Sequence, residues 1–141
     1  MKDSWVFWAF LSALFAAATN ILAKLGISGI SSDLGAFVRT LVVVPSMALL
    51  LWATGQFRQP AVWSTRNILL LVFSGLATAA SWLAFFRALS LGNAAQVVSV
   101  DKLSVILVAL FGVALLGENL TLINWLGILL VAAGTVLVAL H

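Results

Sequence analysis

The sequence predicts an all-α integral membrane protein with five transmembrane helices, and three observations point there. The 141-residue chain is 64% apolar and 8% charged, with a mean hydropathy of +1.22, whereas a soluble domain carries roughly 25% charged residues. Its charges leave uncharged stretches at 4–23, 40–57, 67–86, 103–117 and 119–140. A spanning helix takes about 20 apolar residues. Four stretches reach about that length, and the fourth in order reaches it when extended back across Asp101 and Lys102 to Ala94. Helices are therefore predicted over about 5–26, 34–53, 68–90, 94–116 and 121–140.

The first helix carries a stripe at Trp8, Ser12, Ala16, Asn20 and Lys24, each four residues from the last and so on one face. Small residues there suit helix packing, while Asn20 and Lys24 offer donors to an interior cavity. Lys2, an apolar run and Ala16-Ala17-Ala18 imitate a cleavable signal peptide. The apolar character continues to Leu25 and four more spans follow, which favours a retained helix.

Gly26 to Gly29 and Ser31-Ser32-Asp33 form the first connection, with Ser32 or Asp33 as the next cap. The second helix holds Arg39 near its start and Pro45 at its middle, a residue that removes a backbone donor and is a candidate hinge. The loop from about 54 to 67 is the longest connection, so no soluble catalytic domain is expected and 1–141 reads as a single domain.

In the third helix Ala77, Ala80 and Ala84 precede Arg87 on one side, with Ser74, Thr78, Ser81 and Phe85 beside them. Trp82 and Phe86 are placed to line or gate the same space, or to face lipid. Gly92-Asn93 and Gly117-Glu118-Asn119 make tight hairpins on either side of the fourth helix. In the last helix Gly127, Ala133 and Gly134 form a small-residue seam for packing within the chain or across a dimer.

The residue inventory excludes several functions. There is no cysteine, and the one histidine is His141, so neither a zinc site nor a Ser/His/Asp triad can be assembled within one chain. No enzyme activity and no cofactor are expected. The pI near 10.3 comes from bases dispersed along apolar helices, with no exposed run to bind nucleic acid.

Lys24, Arg39, Arg87, Asp101 and Lys102 come from four helices yet are predicted at one depth. A charge at a helix centre costs about 2.5–3.5 kcal/mol on insertion scales. Long basic chains escape that cost by snorkelling to the headgroups, a route open to Lys24, Arg87 and Arg39 but closed to the short Asp101. Asp101 and Lys102 are adjacent, about 100° apart on a helix, so each is expected to need a partner from a neighbouring helix, with Arg39 or Arg87 the candidate for Asp101. Ser104 shares the Asp101 face.

If the N-terminus lies on one side, that side holds Lys2, Arg58 and Arg66, while Lys24, Arg39, Arg87 and Lys102 lie in the opposite half. Positive charge therefore specifies orientation weakly. Two copies inserted in opposite senses give a ten-helix body with an inverted pseudo-two-fold, an architecture common among secondary transporters.

The sequence resembles the EamA-type members of the drug/metabolite transporter superfamily, in their short form of one five-helix unit. The resemblance is carried by Ser81-Trp82-Leu83-Ala84-Phe85-Phe86-Arg87-Ala88-Leu89, Asp101-Lys102-Leu103-Ser104-Val105, Leu116-Gly117-Glu118 and the closing Leu126 to Leu130 with Ala133-Gly134-Thr135. Many such units have a proline after the serine in helix four. Asp101-Lys102-Leu103-Ser104 instead follows the pattern of short bacterial and archaeal transporters. The resemblance implies one half of a ten-helix inverted-repeat fold in the cell (inner or plasma) membrane, completed by an antiparallel homodimer or a paired five-helix paralogue. It also implies a turn role, and not substrate contact, for Glu118. The superfamily's four-helix multidrug exporters use a glutamate in the first helix, and this first helix has no acid after Asp3.

The function these readings favour is a secondary transporter of a small polar metabolite by alternating access. Four bases against one acid favour an anionic or zwitterionic solute of the amino-acid or organic-acid class. Asn20, Lys24, Arg39, Trp82, Arg87, Asp101, Lys102 and Ser104 are the candidate substrate-binding or coupling residues. The partners expected are a small-molecule substrate and the lipid bilayer. Alternatives are a non-transporting membrane subunit whose charges serve helix assembly, a cationic-compound exporter and, last, a passive channel.

Overall fold

The computed structural model describes residues 4–58 and 62–140, and among them there is no strand. The helices are α1 (Trp5–Gly26), α2 (Ser32–Ala53), α3 (Thr65–Leu91), α4 (Ala94–Asp101), α5 (Ser104–Leu116) and α6 (Leu122–Leu140), with one 3₁₀ turn at Gln56–Arg58. α4 and α5 together make one segment, Ala94–Leu116, so five segments are long and apolar enough to cross a membrane. α3 is the longest, at 27 residues. At 1.5 Å per residue it measures about 40 Å, more than the hydrocarbon core alone requires.

Polar residues at the ends explain where the helices start and stop. α2 begins earlier than the sequence reading placed it, because the cap is Ser31, whose Oγ accepts the Leu34 N–H at 3.2 Å. Asp33 then sits in the first turn, where a carboxylate is favoured by the helix dipole. α3 also starts early, since Ser64 Oγ accepts the Asn67 N–H at 3.1 Å. Thr121 does the same for Asn124 ahead of α6, at 3.3 Å. α2 ends with Thr54 Oγ1 donating to the Leu50 carbonyl at 2.9 Å, followed by Gly55 at φ +71°. α2 runs as one helix through Pro45.

α5 ends on Gly117 at φ +67°, and the Glu118 N–H returns to the Gly112 carbonyl at 3.1 Å. The Gly117 N–H reaches the same carbonyl, and a left-handed glycine closing the turn in this way satisfies a carbonyl that a helix end leaves open. The Glu118 carboxylate folds back over α5, so that a Cβ on Gly112 would stand 2.5 Å from Glu118 Oε2. This is the turn role expected for Glu118.

The chain forms two compact units, one of Leu22–Ser90 and the other of the residues before and after it, so that α1 is shared between them at Ile21. In the first, Ile27, Ser32, Ala36, Phe86 and Leu89 are buried, with Phe86 and Leu89 enclosed almost completely. Gly35 makes this packing possible, because a Cβ there would lie 2.7 Å from Ile27 Cγ2 and 3.5 Å from the Phe86 ring. In the other unit α6 packs on α4 and α5, Ala109 and Thr135 are buried, and Gln96 Nε2 donates to the Val138 carbonyl at 3.4 Å. Elsewhere large apolar side chains stand exposed along every span, as in helices whose exterior is lipid.

The α6 seam differs from one of the roles expected of it. Among the described residues of its own unit, nothing lies within 4 Å of a Cβ built at Gly127 or at Gly134, so neither glycine serves close packing there.

Candidate functional site

The fourth span is where the structure departs most from the sequence reading, which expected an unbroken helix over 94–116. Lys102 has φ −68°, ψ −9° and Leu103 has φ −60°, ψ −21°, values of a 3₁₀ turn. The hydrogen bonds agree: Lys102 N–H reaches Ser99 O at 3.1 Å, Leu103 reaches Val100 at 3.0 Å, Val105 reaches Lys102 at 3.0 Å and Ile106 reaches Leu103 at 3.1 Å. Each closes over three residues, and the Lys102 N–H is shared with Val98 O at 3.3 Å, where the α-helical ladder gives way to the turn. The β-branched run Val97, Val98, Val100 and the polar Ser99 and Asp101 are poor helix propagators, which is the local reason for the joint. It lies eight residues into the span, about 12 Å from its start.

At this joint Asp101 and Lys102 pair with each other, Nζ to Oδ2 at 3.9 Å. That corrects the expectation that neighbours about 100° apart must look elsewhere: the long lysine chain reaches back across the turn. Their side chains are 44% and 59% exposed respectively, so the pair is weak in water-like surroundings. Ser104 opens α5 directly after the joint and is exposed.

In the unit Leu22–Ser90 the charges are arranged differently. Lys24 Nζ donates to the Leu89 carbonyl in the last turns of α3, where a cation also meets the negative end of the helix dipole. Arg39, on α2, places its guanidinium carbon 4.4 Å from the centre of the Trp82 ring and 5.5 Å from that of Phe86. Both distances lie within the range of cation–π attraction. Phe86 meets Phe85 edge-on at 6.4 Å. Arg87 is exposed, and its carbonyl accepts Ser90 Oγ at 2.7 Å. Among the described residues of this unit Asp33 is the one acid, set against Lys24, Arg39, Arg58, Arg66 and Arg87.

Asn20 lies on the least exposed stripe of α1, with Ala16, Thr19, Ala23 and Lys24 half-buried while Phe15, Ile21, Leu22 and Leu25 are exposed. The structure thus brings together Arg39 with Trp82, and Asp101 with Lys102 and the start of the Ser104 helix. Sequence reasoning left Phe86 and Gln96 off the candidate list. For Phe86 a signal existed: Trp82 and Phe86 are four apart on α3 and share one face. Asn93 and Gln96 carried another, the spacing of a helix-start pair, and Asn93 Nδ2 does donate to Gln96 Oε1 at 3.2 Å.

Comparison with known proteins adds two findings. The EamA-like transporter family matches residues 3–140. A curated relative from Sinorhizobium sp., described as an uncharacterized transporter in the cobO 3' region, is 52% identical over 139 residues, covering 99% of this chain and 99% of its own. No solved structure matches the chain.

Proposed function

Because the chain belongs to the EamA-like transporter family and is a multi-pass transporter of the cell membrane, we propose that it moves a small anionic or zwitterionic metabolite by alternating access, as an antiparallel dimer of two five-helix units. The amino-acid and organic-acid classes are the solutes this reading favours. Asn20, Lys24, Arg39, Trp82, Arg87, Asp101, Lys102 and Ser104 remain the residues assigned to substrate binding or coupling.

The observation that carries this reading is the 3₁₀ joint in the fourth span, beside the half-exposed Asp101–Lys102 pair. Interrupted spanning helices turn backbone groups and helix ends toward a solute, and irregular backbone survives at membrane depth only where protein or a watery cavity surrounds it. A charge pair at such a joint gives a carboxylate for coupling and an ammonium for an anion. The cation excess within Leu22–Ser90 supports the sign of the substrate. The antiparallel dimer is supported by five spans, nearly balanced basic flanks and the open faces of Gly127 and Gly134.

The test is counterflow in proteoliposomes containing the purified chain, with a panel of labelled amino and organic acids. A carrier gives transient uphill exchange, and Asp101→Asn and Lys102→Gln are expected to abolish it while the protein still assembles. Absence of exchange for every solute, together with loss of assembly in both variants, would sink the transport reading in favour of a structural subunit. Reporter fusions on both termini test the dimer, for which both orientations are expected.

A further inference from the structure

We infer that Arg39, held over Trp82 and Phe86, is a recognition site for the carboxylate of a small organic acid, with Trp82 and Phe86 as its positioning residues. This rests on the transport reading above and names the group by which the solute is held.

The argument begins with the aromatic floor. Phe86 is 2% exposed and is wedged against Gly35, so its ring cannot swing away. Trp82 lies one helical turn earlier on α3, and the guanidinium of Arg39 rests over both rings. A guanidinium held over two rings keeps five N–H donors, all in one plane, for other partners. Within Leu22–Ser90 no carboxylate takes those donors: the one acid, Asp33, lies six residues back on α2, turned well away around the helix, and has no ion pair with Arg39. Among the described residues of this unit the charge is held in place without an ion pair.

A lone guanidinium edge is the geometric match of a planar carboxylate, which it binds through two parallel hydrogen bonds. A phosphate can take the same two bonds, so the choice falls to the apolar surroundings, where a single charge on a carbon body costs less to bury than a dianion. The space for the rest of the molecule is next to the same tryptophan. Trp82 also lines a largely apolar groove of about 250 Å³ together with Asp33, Ala36, Phe37, Thr40, Ala79 and Leu83; Arg39 is not part of its wall, so Trp82 is what the groove and the guanidinium share. That volume suits a body of a few carbons and is smaller than a typical drug-sized site.

The test reads binding without transport. The purified full-length chain in detergent is treated with phenylglyoxal, which modifies accessible guanidinium groups, and the peptides carrying Arg39, Arg58, Arg66 and Arg87 are followed separately by mass spectrometry. The probes are propionate, its neutral amide propionamide and inorganic phosphate. Propionate is expected to slow modification of Arg39 saturably, by about tenfold at roughly ten times its dissociation constant, with Arg58 and Arg66 unchanged. Propionamide and phosphate are expected to protect no more than about twofold on the same scale. Trp82→Leu is expected to lose the protection and Trp82→Phe to keep most of it.

Absence of propionate protection, equal slowing of Arg58 and Arg66, or better protection by phosphate or propionamide overturns the assignment. The failures of the two readings are separable. Protection with no counterflow leaves the carboxylate site standing without a carrier, and counterflow with no protection removes Arg39 alone.

Discussion

At Gly35 one hydrogen atom decides the packing of a buried cluster. Replacing it with a methyl group brings a carbon to 2.7 Å from Ile27 Cγ2, and Ile27 is itself buried and β-branched, so it yields poorly. Gly35→Ala is expected to destabilise the protein by about 1–3 kcal/mol, as overpacking does, seen as a lower unfolding midpoint in detergent. Gly112→Ala makes a contrasting case. The atom it meets is the carboxylate end of Glu118, which can rotate aside, so a loss below about 1 kcal/mol is expected, and an equal drop in the two variants would contradict the reason given for both. These positions also show what was legible one residue at a time. Trp82 and Arg39 were picked out by type and depth, but their stacking depends on the angle at which α2 meets α3. Lys24 was read as a donor, and the carbonyl it meets lies 65 positions away, beyond any local pattern.

Among the helices, hydropathy reported length and composition but was blind to hydrogen-bond pitch. That is why the five spans were legible in the sequence, while the joint at Lys102–Leu103 was smoothed into a straight helix. Starts were misplaced by two or three residues in α2 and α3 for a related reason: hydroxyl caps at Ser31 and Ser64 recruit polar residues into the first turn that a hydropathy reading assigns to the loop. The joint has a measurable consequence. Amides at Leu103, Val105 and Ile106 close over three residues in poorer geometry, and are expected to exchange with deuterium about tenfold faster than those of Leu110 to Val113 in α5, a gap of about 1.4 kcal/mol in opening free energy. Equal protection along the whole segment would mean that the joint is as rigid as the helix around it.

For the molecule as a whole, charge is what remains to be balanced. Lys2, Arg58 and Arg66 oppose Lys24, Arg39, Arg87 and Lys102, so the double variant Arg58→Ser, Arg66→Ser is expected to drive the 54–67 loop predominantly to the external side, read with a reporter on the C-terminus. Gly127→Leu with Gly134→Leu is expected to reduce cross-linking between protomers while leaving the unfolding midpoint of the chain within a degree or two, because among the described residues nothing lies within 4 Å of a Cβ at either position. The fold class and the family were readable from the sequence because they follow from composition and turn residues spread along the whole chain. The partners of individual charges were not, because a side chain's partner is fixed by three-dimensional approach. The Asp101–Lys102 pair also bears on how the protein is made. Two separated charges would each add about 2.5–3.5 kcal/mol to lateral release from the translocon, but an acid and a base on consecutive residues leave the channel together, as one dipole of zero net charge. Asp101→Lys would send two like charges through that gate, so the fraction of nascent chains with an inserted fourth segment is expected to fall in a glycosylation-mapping assay, and the cell would register the loss at synthesis, before any solute is bound.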